Sequence, residues 1–263
     1  MRIIEKLKAR RLLRGAALAV ALVWTFMAST AIATGFADET LHYVVTYKWG
    51  LVNKDAGDAT LTLRGHGDRY NLRLTARTKP WADKVFMVRD TLLSTVSRQG
   101  FRPLSYSKIS HEDGKYRRDD ITYSRSGSTT TAKVKRVKRD RKGASETSHK
   151  TFSAAGEAYD MLSVFYYLRT LDYAALARGE VAEVPVFSGS KVERLTIRYA
   201  GRERLQMRDK TYRDAIRIKF RFTTDGRKKS SDDIEAWISA DAAHIPLQLV
   251  GKLPLGSVRV YLL

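Results

Sequence analysis

The chain of 263 residues has no cysteine, only five prolines and only five histidines. Without cysteine there is no disulfide, no thiolate nucleophile, no thiolate metal ligand and no lipid-modified cysteine of the bacterial lipoprotein kind. The histidines, His42, His66, His111, His149 and His244, are scattered, and no two stand at metal-ligand spacing. H-E-x-x-H, G-x-S-x-G, G-x-x-x-x-G-K-[ST] and a G-x-G-x-x-G after a strand are all missing. NKDAGD (53–58) places Asp55 and Asp58 near each other but lacks the calcium-loop pattern. No cofactor is called for. The acidic pairs Asp119-Asp120 and Asp232-Asp233 could in principle act as acid and base, but neighbours along a strand point to opposite faces, which makes them poor dyads.

What is abundant is positive charge: 48 Lys and Arg against 28 Asp and Glu, a net charge of +20. Arg2, Lys6, Lys8, Arg10, Arg11 and Arg14 precede the uncharged apolar run AALAVALVWTFMASTAIA (16–33), the layout of a secretory signal. Ala31-Ile32-Ala33 fits cleavage after Ala33, and Gly35-Phe36-Ala37 offers an alternative after Ala37. The competing reading is an uncleaved anchor, because the run approaches the ~20 residues that span a bilayer. Loss of residues 1–33 removes six basic groups and one acid, which takes the charge from +20 to +15. An exported basic protein meets lipid phosphates, anionic polysaccharide or a membrane surface rather than nucleic acid. Residues 38–263 are then expected to form a single β-rich domain in the periplasm or outer envelope.

The strand signals start directly after the leader. In LHYVVTYKW, Leu41, Tyr43, Val45, Tyr47 and Trp49 share one face against His42, Thr46 and Lys48. The alternation recurs in Ala59, Leu61 and Leu63, in Tyr70, Leu72, Leu74 and Ala76, in Leu195, Ile197 and Tyr199, in Ile216, Ile218, Phe220 and Phe222, and in Val258, Val260 and Leu262 at the end of the chain. Short strands joined by turn residues such as Gly65-His66-Gly67-Asp68 predict an antiparallel sheet. HEDGKYRRDD (111–120) resembles chemistry, with a histidine among carboxylates, but Asp113-Gly114 is a strong two-residue hairpin signal between the expected strands 103–110 and 116–123. A β-turn with charged cross-strand neighbours is the simpler reading.

Two segments depart from the strand rhythm. In YDMLSVFYYLRTLDY, Met161, Val164, Phe165, Leu168 and Leu171 fall on one helical face, with Asp160 as N-cap or first-turn acid. This helix is expected to cover the apolar face of the sheet. The segment 133–145 is expected to be a strand running out into a mobile basic loop, with Lys133, Lys135, Arg136, Lys138 and Arg139 as candidates for contact with an anionic surface.

YKWGLVNKDAGDATL (47–61), ARTKPWADKVFMVRDTLLS (76–94), HEDGKYRRDDITY (111–123), DMLSVFYYLRTLDY (160–173) and AWISADAAHIPLQLVGKLPLGSVRVYL together resemble the exported bacterial family catalogued as domain of unknown function 3108. The resemblance runs from about Leu41 to Leu263. It implies export and a mainly β fold with one principal helix: a large curved antiparallel sheet or half-open barrel, similar to periplasmic lipoprotein carriers. The family has no established activity, so the resemblance supplies no mechanism. It draws attention to WGLVN (49–53) and KPWADKVF (79–86), where apolar side chains stand at strand ends. Trp49 and Trp81 are expected to form the lip of a ligand site, with Arg77, Lys84 and Arg89 facing an anionic head group and Asn53 and Tyr116 as further ligand-binding candidates. The leading expectation is a non-enzymatic envelope protein binding an amphiphile or a glycan. The alternatives are a polymer hydrolase using His111, Glu112 and Asp120, and an interaction module for envelope proteins.

Overall fold

The computed structural model describes residues 35–224, 234–252 and 256–263. The leader 1–33 and Asp232-Asp233 lie outside the described residues, as does the side chain of Trp49. Residues 37–263 form one compact unit.

The described residues of that unit form one sheet of fifteen strands. They are β1 (Glu39–Trp49), β2 (Val52–His66), β3 (Arg69–Thr78), β4 (Val88–Ser97), β5 (Pro103–Glu112), β6 (Lys115–Ser126), β7 (Thr129–Arg139), β8 (Ser145–Ala155), β9 (Tyr159–Asp160), β10 (Ala182–Phe187), β11 (Val192–Gln206), β12 (Tyr212–Thr223), β13 (Ile234–Ser239), β14 (Pro246–Lys252) and β15 (Ser257–Leu262). The chain meanders outward from the middle: β1 pairs with both β2 and the final strand β15, and the edges are β8 and β9. Every pair is antiparallel except β9 with β10. The antiparallel pairing is what the alternating pattern predicts, and the large curved, barrel-like form is what the family resemblance implies.

The alternation sorts the side chains as expected. Leu61, Leu63, Tyr70, Leu72, Leu195, Ile197 and Ile218 are all buried on the concave face. Each such side chain contributes roughly 1.5–3 kcal/mol when removed from water. Phe101, held at φ 52 in the β4–β5 connection, is stacked between Tyr70 and Tyr166 at 5.3 and 5.5 Å. The hairpin of HEDGKYRRDD also forms as expected: His111 faces Tyr116, Glu112 faces Lys115, and Asp113 and Gly114 take φ 49 and 77. Both central residues have positive φ, the turn that matches strand twist.

The helical segment covers the concave face but ends early. The predicted helical stretch 161–171 holds the short helix α2 (Ser163–Arg169), and a second, α3 (Tyr173–Ala177), follows beyond it; α1 (Pro80–Asp83) lies in the β3–β4 connection. Asp172 ends the first helix by capping the second, accepting from the Ala175 N–H at 3.0 Å. Asp160 belongs to β9, and its carboxylate accepts from the N–H groups of Leu162 (2.8 Å) and Ser163 (2.7 Å). The buried set includes Leu162, Val164, Tyr166 and Leu168, while Met161 is exposed. Arg169 ties α2 to β1 by an ion pair with Glu39.

The basic segment also differs from expectation. Residues 133–139 complete β7, paired throughout with β6 and β8, and only 140–144 form a turn. Strand order persists because the cations have partners or solvent: Lys133 and Lys135 point outward, while Arg136 points in and is buried. Arg136 donates to Asp119 at 2.6 and 3.0 Å and to the Gly189 carbonyl at 2.6 Å. Arg117 binds the same carboxylate and reaches Ser190 Oγ at 3.1 Å. The charged cluster therefore clasps β6 and β7 to the β10–β11 turn and draws the curved sheet toward closure. Burial pushes the Asp119 carboxyl up, but hydrogen bonds from Arg136 and Arg117 outweigh it and hold the group below the usual carboxylate range.

Candidate binding site

Strand direction alone places the β1–β2, β3–β4, β5–β6 and β7–β8 connections on one rim of the sheet. Backbone bonds lock neighbouring connections together. The Lys79 N–H donates to the Ala56 carbonyl at 2.8 Å and the Asp113 N–H to the Met87 carbonyl at 2.9 Å. Arg141 of the β7–β8 turn donates to the Asp113 carbonyl at 2.7 Å and pairs with its carboxylate.

A cavity of about 350 Å³ opens where three of these connections meet. Phe86 and Tyr116 supply aromatic surface; Lys108, Lys115, Arg117, Lys138 and Arg139 supply cations; Glu112, Asp113 and Asp140 supply acids. The acids are already engaged. Glu112 accepts from Ser110 at 2.7 Å and sits 3.6 Å from Lys108; the Ser110 bond and, against burial, Lys108 lower its pKa. Asp113 is paired with Arg141, and Asp140 accepts from the N–H groups of Lys142 and Ala144 at 2.9 Å. Lys115 and Lys138 have no acidic partner among the described contacts. The Arg139 guanidinium lies 5.4 Å from the centre of the Tyr116 ring, whose other neighbour is His111 at 4.9 Å. The chemical sum is an aromatic-walled pocket with uncompensated positive charge, suited to an anion joined to an apolar group.

The sequence-derived candidates divide among different places. Tyr116, Lys138 and Arg139 line this cavity. Trp81 does not form a free lip: it is half-buried, its indole N–H donates to the Asp55 carbonyl at 2.8 Å, and Lys54 lies over its ring at 4.9 Å. Arg89 is committed to Asp83 at 2.7 and 3.0 Å and to Thr78, an arrangement that fixes the β3–β4 loop. Arg77 is exposed on the convex face, opposite Asp58 and Arg89, and Lys84 is exposed on the loop. Asn53 lines a separate open depression of about 230 Å³ with Gln206, Arg208 and Tyr261. There Arg208 crosses from the β11–β12 hairpin to Asp55 (2.8 and 3.1 Å) and Thr46 (3.2 Å), which is why Thr46, placed by alternation on the solvent face, is buried. Arg136, being buried in its pair with Asp119, faces no external anion. Phe86, Lys108, Lys115 and Arg117 are the residues that sequence reasoning missed. Phe86 was visible in KPWADKVF, and Lys115 in the hairpin turn, but not their meeting.

The hydrolase trio does not converge. His111 and Glu112 are successive on β5 and point to opposite faces, while Asp120 is held by Ser107 (2.7 Å) and Arg118 (2.8 Å). Among the described residues no three His, Asp or Glu are grouped as a metal site would require.

A search among curated proteins finds no match. Among solved structures, the chain is similar to the beta-barrel-like protein of domain of unknown function DUF1849 from Brucella abortus, with a TM-score of 0.59 over 86% of this chain and 96% of that one, at 11% identity. At that identity the likeness shows the fold alone. A protein-family model matches residues 42–263, nearly the whole barrel-like unit just described, and the chain belongs to that family, protein of unknown function DUF3108.

Proposed function

We propose that this chain is a non-enzymatic, exported envelope protein that binds an anionic amphiphile, with the charged head in the cavity between the β3–β4, β5–β6 and β7–β8 connections. The observation that carries the reading is the pairing pattern around that cavity: its acids are engaged by Lys108, Arg141 and turn N–H groups, while Lys115 and Lys138 are left without an acidic partner among the described contacts, in a cavity that Phe86 also lines. The curved, barrel-like sheet, a fold shared with the DUF1849 protein, suits a binding domain. The lysines attract an anion, and Phe86 covers the first part of an alkyl chain.

Dodecyl phosphate, titrated below its micelle concentration and followed by calorimetry, tests this. Binding is expected to weaken about tenfold for the Lys115→Glu, Lys138→Glu double variant, since about 1.4 kcal/mol is a factor of ten, and to fall as salt rises. Phe86→Ser is expected to weaken dodecyl phosphate but not inorganic phosphate. Equal affinity for dodecyl maltoside, or indifference to both variants, would refute the reading. An anionic oligosaccharide that binds as well as dodecyl phosphate would transfer the site to a glycan.

A further inference from the structure

We propose that the rim carrying these connections docks on an anionic lipid bilayer, with Leu51, Val52, Val85 and Phe86 entering the interface. These four are among the large apolar side chains the fold leaves exposed, Leu51 fully and Val85 at 78%. All four stand on two adjacent connections of one rim: the β1–β2 turn, where Gly50 takes φ 55, and the β3–β4 loop. The two are tied by the Trp81–Asp55 and Lys79–Ala56 bonds, so the tips are presented together by a braced platform. Tips on protruding turns do not form a groove for a peptide or a flat face for a second subunit. They are shaped to enter a soft apolar phase.

Charge points to the sign of the surface. The rim acids Asp55, Asp83 and Asp113 are each consumed by an arginine, respectively Arg208, Arg89 and Arg141. Lys48, Lys84, Lys115, Lys138 and Lys142 are exposed there without an acidic partner among the described contacts. Each cation held near an anionic bilayer strengthens binding about fivefold, and the apolar tips add burial that charge alone lacks. The inference shares Phe86, Lys115 and Lys138 with the amphiphile cavity, but Leu51 and Val85 do not line it, so labels there report on the bilayer apart from the cavity. If both hold, the cavity opens toward the bilayer.

The absence of cysteine supplies a clean test, since one introduced cysteine is the only labelling site. Leu51→Cys and Val85→Cys, each carrying an NBD fluorophore, would be mixed with phosphatidylglycerol vesicles, using the chain as matured in the cell. Asp68→Cys in the β2–β3 turn, on the opposite rim, serves as control. We expect the labels at 51 and 85 to brighten severalfold, to shift to the blue and to be quenched by doxyl lipids, with the label at 68 silent. Phosphatidylcholine vesicles should give no more than a small fraction of the response, and Lys48→Glu with Lys84→Glu should abolish it. Silent tip labels, an equal response from all three labels, or an equal response on neutral vesicles would overturn the proposal. So would tip labels that respond to a vesicle-free envelope extract and not to lipid, which would assign the rim to a protein partner. Loss of dodecyl phosphate binding with tip insertion intact would instead remove only the amphiphile reading.

Discussion

Replacing Asp160 with asparagine should stabilise the protein at pH 8 and leave it nearly unchanged at pH 4. The Asp160 carboxyl is fully buried beneath the sheet, where burial, the largest influence, pushes its pKa up to about 6. Hydrogen bonds from Ser94 Oγ (2.6 Å) and from the Leu162 and Ser163 N–H groups favour the anion but do not cancel that cost. In the unfolded chain the group titrates near 3.8. Below that pH both states carry the proton; between there and about 6 only the folded state holds it; above 6 both are ionised and the fold bears the whole cost. Asp160 therefore contributes stability that is complete below pH 4 and lost as pH rises through 6. A displacement of about two pKa units corresponds to about 3 kcal/mol. Asparagine keeps the Oδ1 acceptor for both N–H groups, lets the Ser94 hydroxyl accept, and never ionises. Urea unfolding of both proteins from pH 4 to pH 8 isolates the effect in their difference, because every other titrating group cancels. The variant should gain about 3 kcal/mol on the wild type across that range, with the change falling between pH 4 and pH 6 and half complete near pH 5. A flat difference, or one rising toward acid, would show that this carboxylate is not destabilised by burial.

Other substitutions probe separate parts of the fold. Gly189 takes φ 78, and a Cβ there would stand 2.8 Å from the Asp119 carboxylate, whereas Gly127 takes φ 55 with nothing within 4 Å. Gly189→Ala should therefore cost about 3 kcal/mol in chemical denaturation and Gly127→Ala only about 1 kcal/mol; equal costs would deny that the clasp is tight. Tyr106, paired with Ser94 across β4 and β5, has a buried hydroxyl with no hydrogen-bond partner among the described residues, so Tyr106→Phe should be neutral or stabilising by up to about 1 kcal/mol. A clear loss of stability would reveal a water bound there. Replacing Asp113-Gly114 by Ala-Ala should cost about 1 kcal/mol or more through its two positive φ angles, while exposed His111→Ala should change the melting temperature little. A large loss of any binding activity in His111→Ala with stability intact would contradict the reading of this stretch as a turn.

The strands were legible because period-two alternation needs no partner: Leu61 and Leu63, or Ile197 and Ile218, state their face locally. The early end of the helix was not, since the apolar spacing of 161–171 runs on past Arg169, where the helix stops and Asp172 caps a new turn instead. Arg136 misled for a different reason. In KVKRVK (133–138) it shares the inward face with Val134, and alternation by itself treats an inward arginine as an error. Its partner was nevertheless within reach of sequence reasoning. Gly127-Ser128 is a two-residue turn signal, and a turn there sets Ser126 opposite Thr129 and hence Asp119 opposite Arg136. Counting register from the turn, rather than polarity along the strand, would have paired an inward acid with an inward base.

The candidate site resisted the sequence because a net charge of +20 says nothing about which cations are free. Arg89 and Arg136 look as available as Lys115 and Lys138 in a linear reading, yet the two arginines are spent on Asp83 and Asp119. Arginine's planar fork suits it to these bidentate internal duties, whereas a lysine on a turn loses less by remaining solvated. Three rim acids follow this division: Asp55, Asp83 and Asp113 pair with arginines, while Lys115 and Lys138 are left without an acidic partner among the described contacts. An anion approaching the rim therefore meets lysines whose charge has not been cancelled by the structure that carries them. Replacing Lys115 or Lys138 should alter ligand affinity with little effect on folding, and replacing Arg136 should do the reverse.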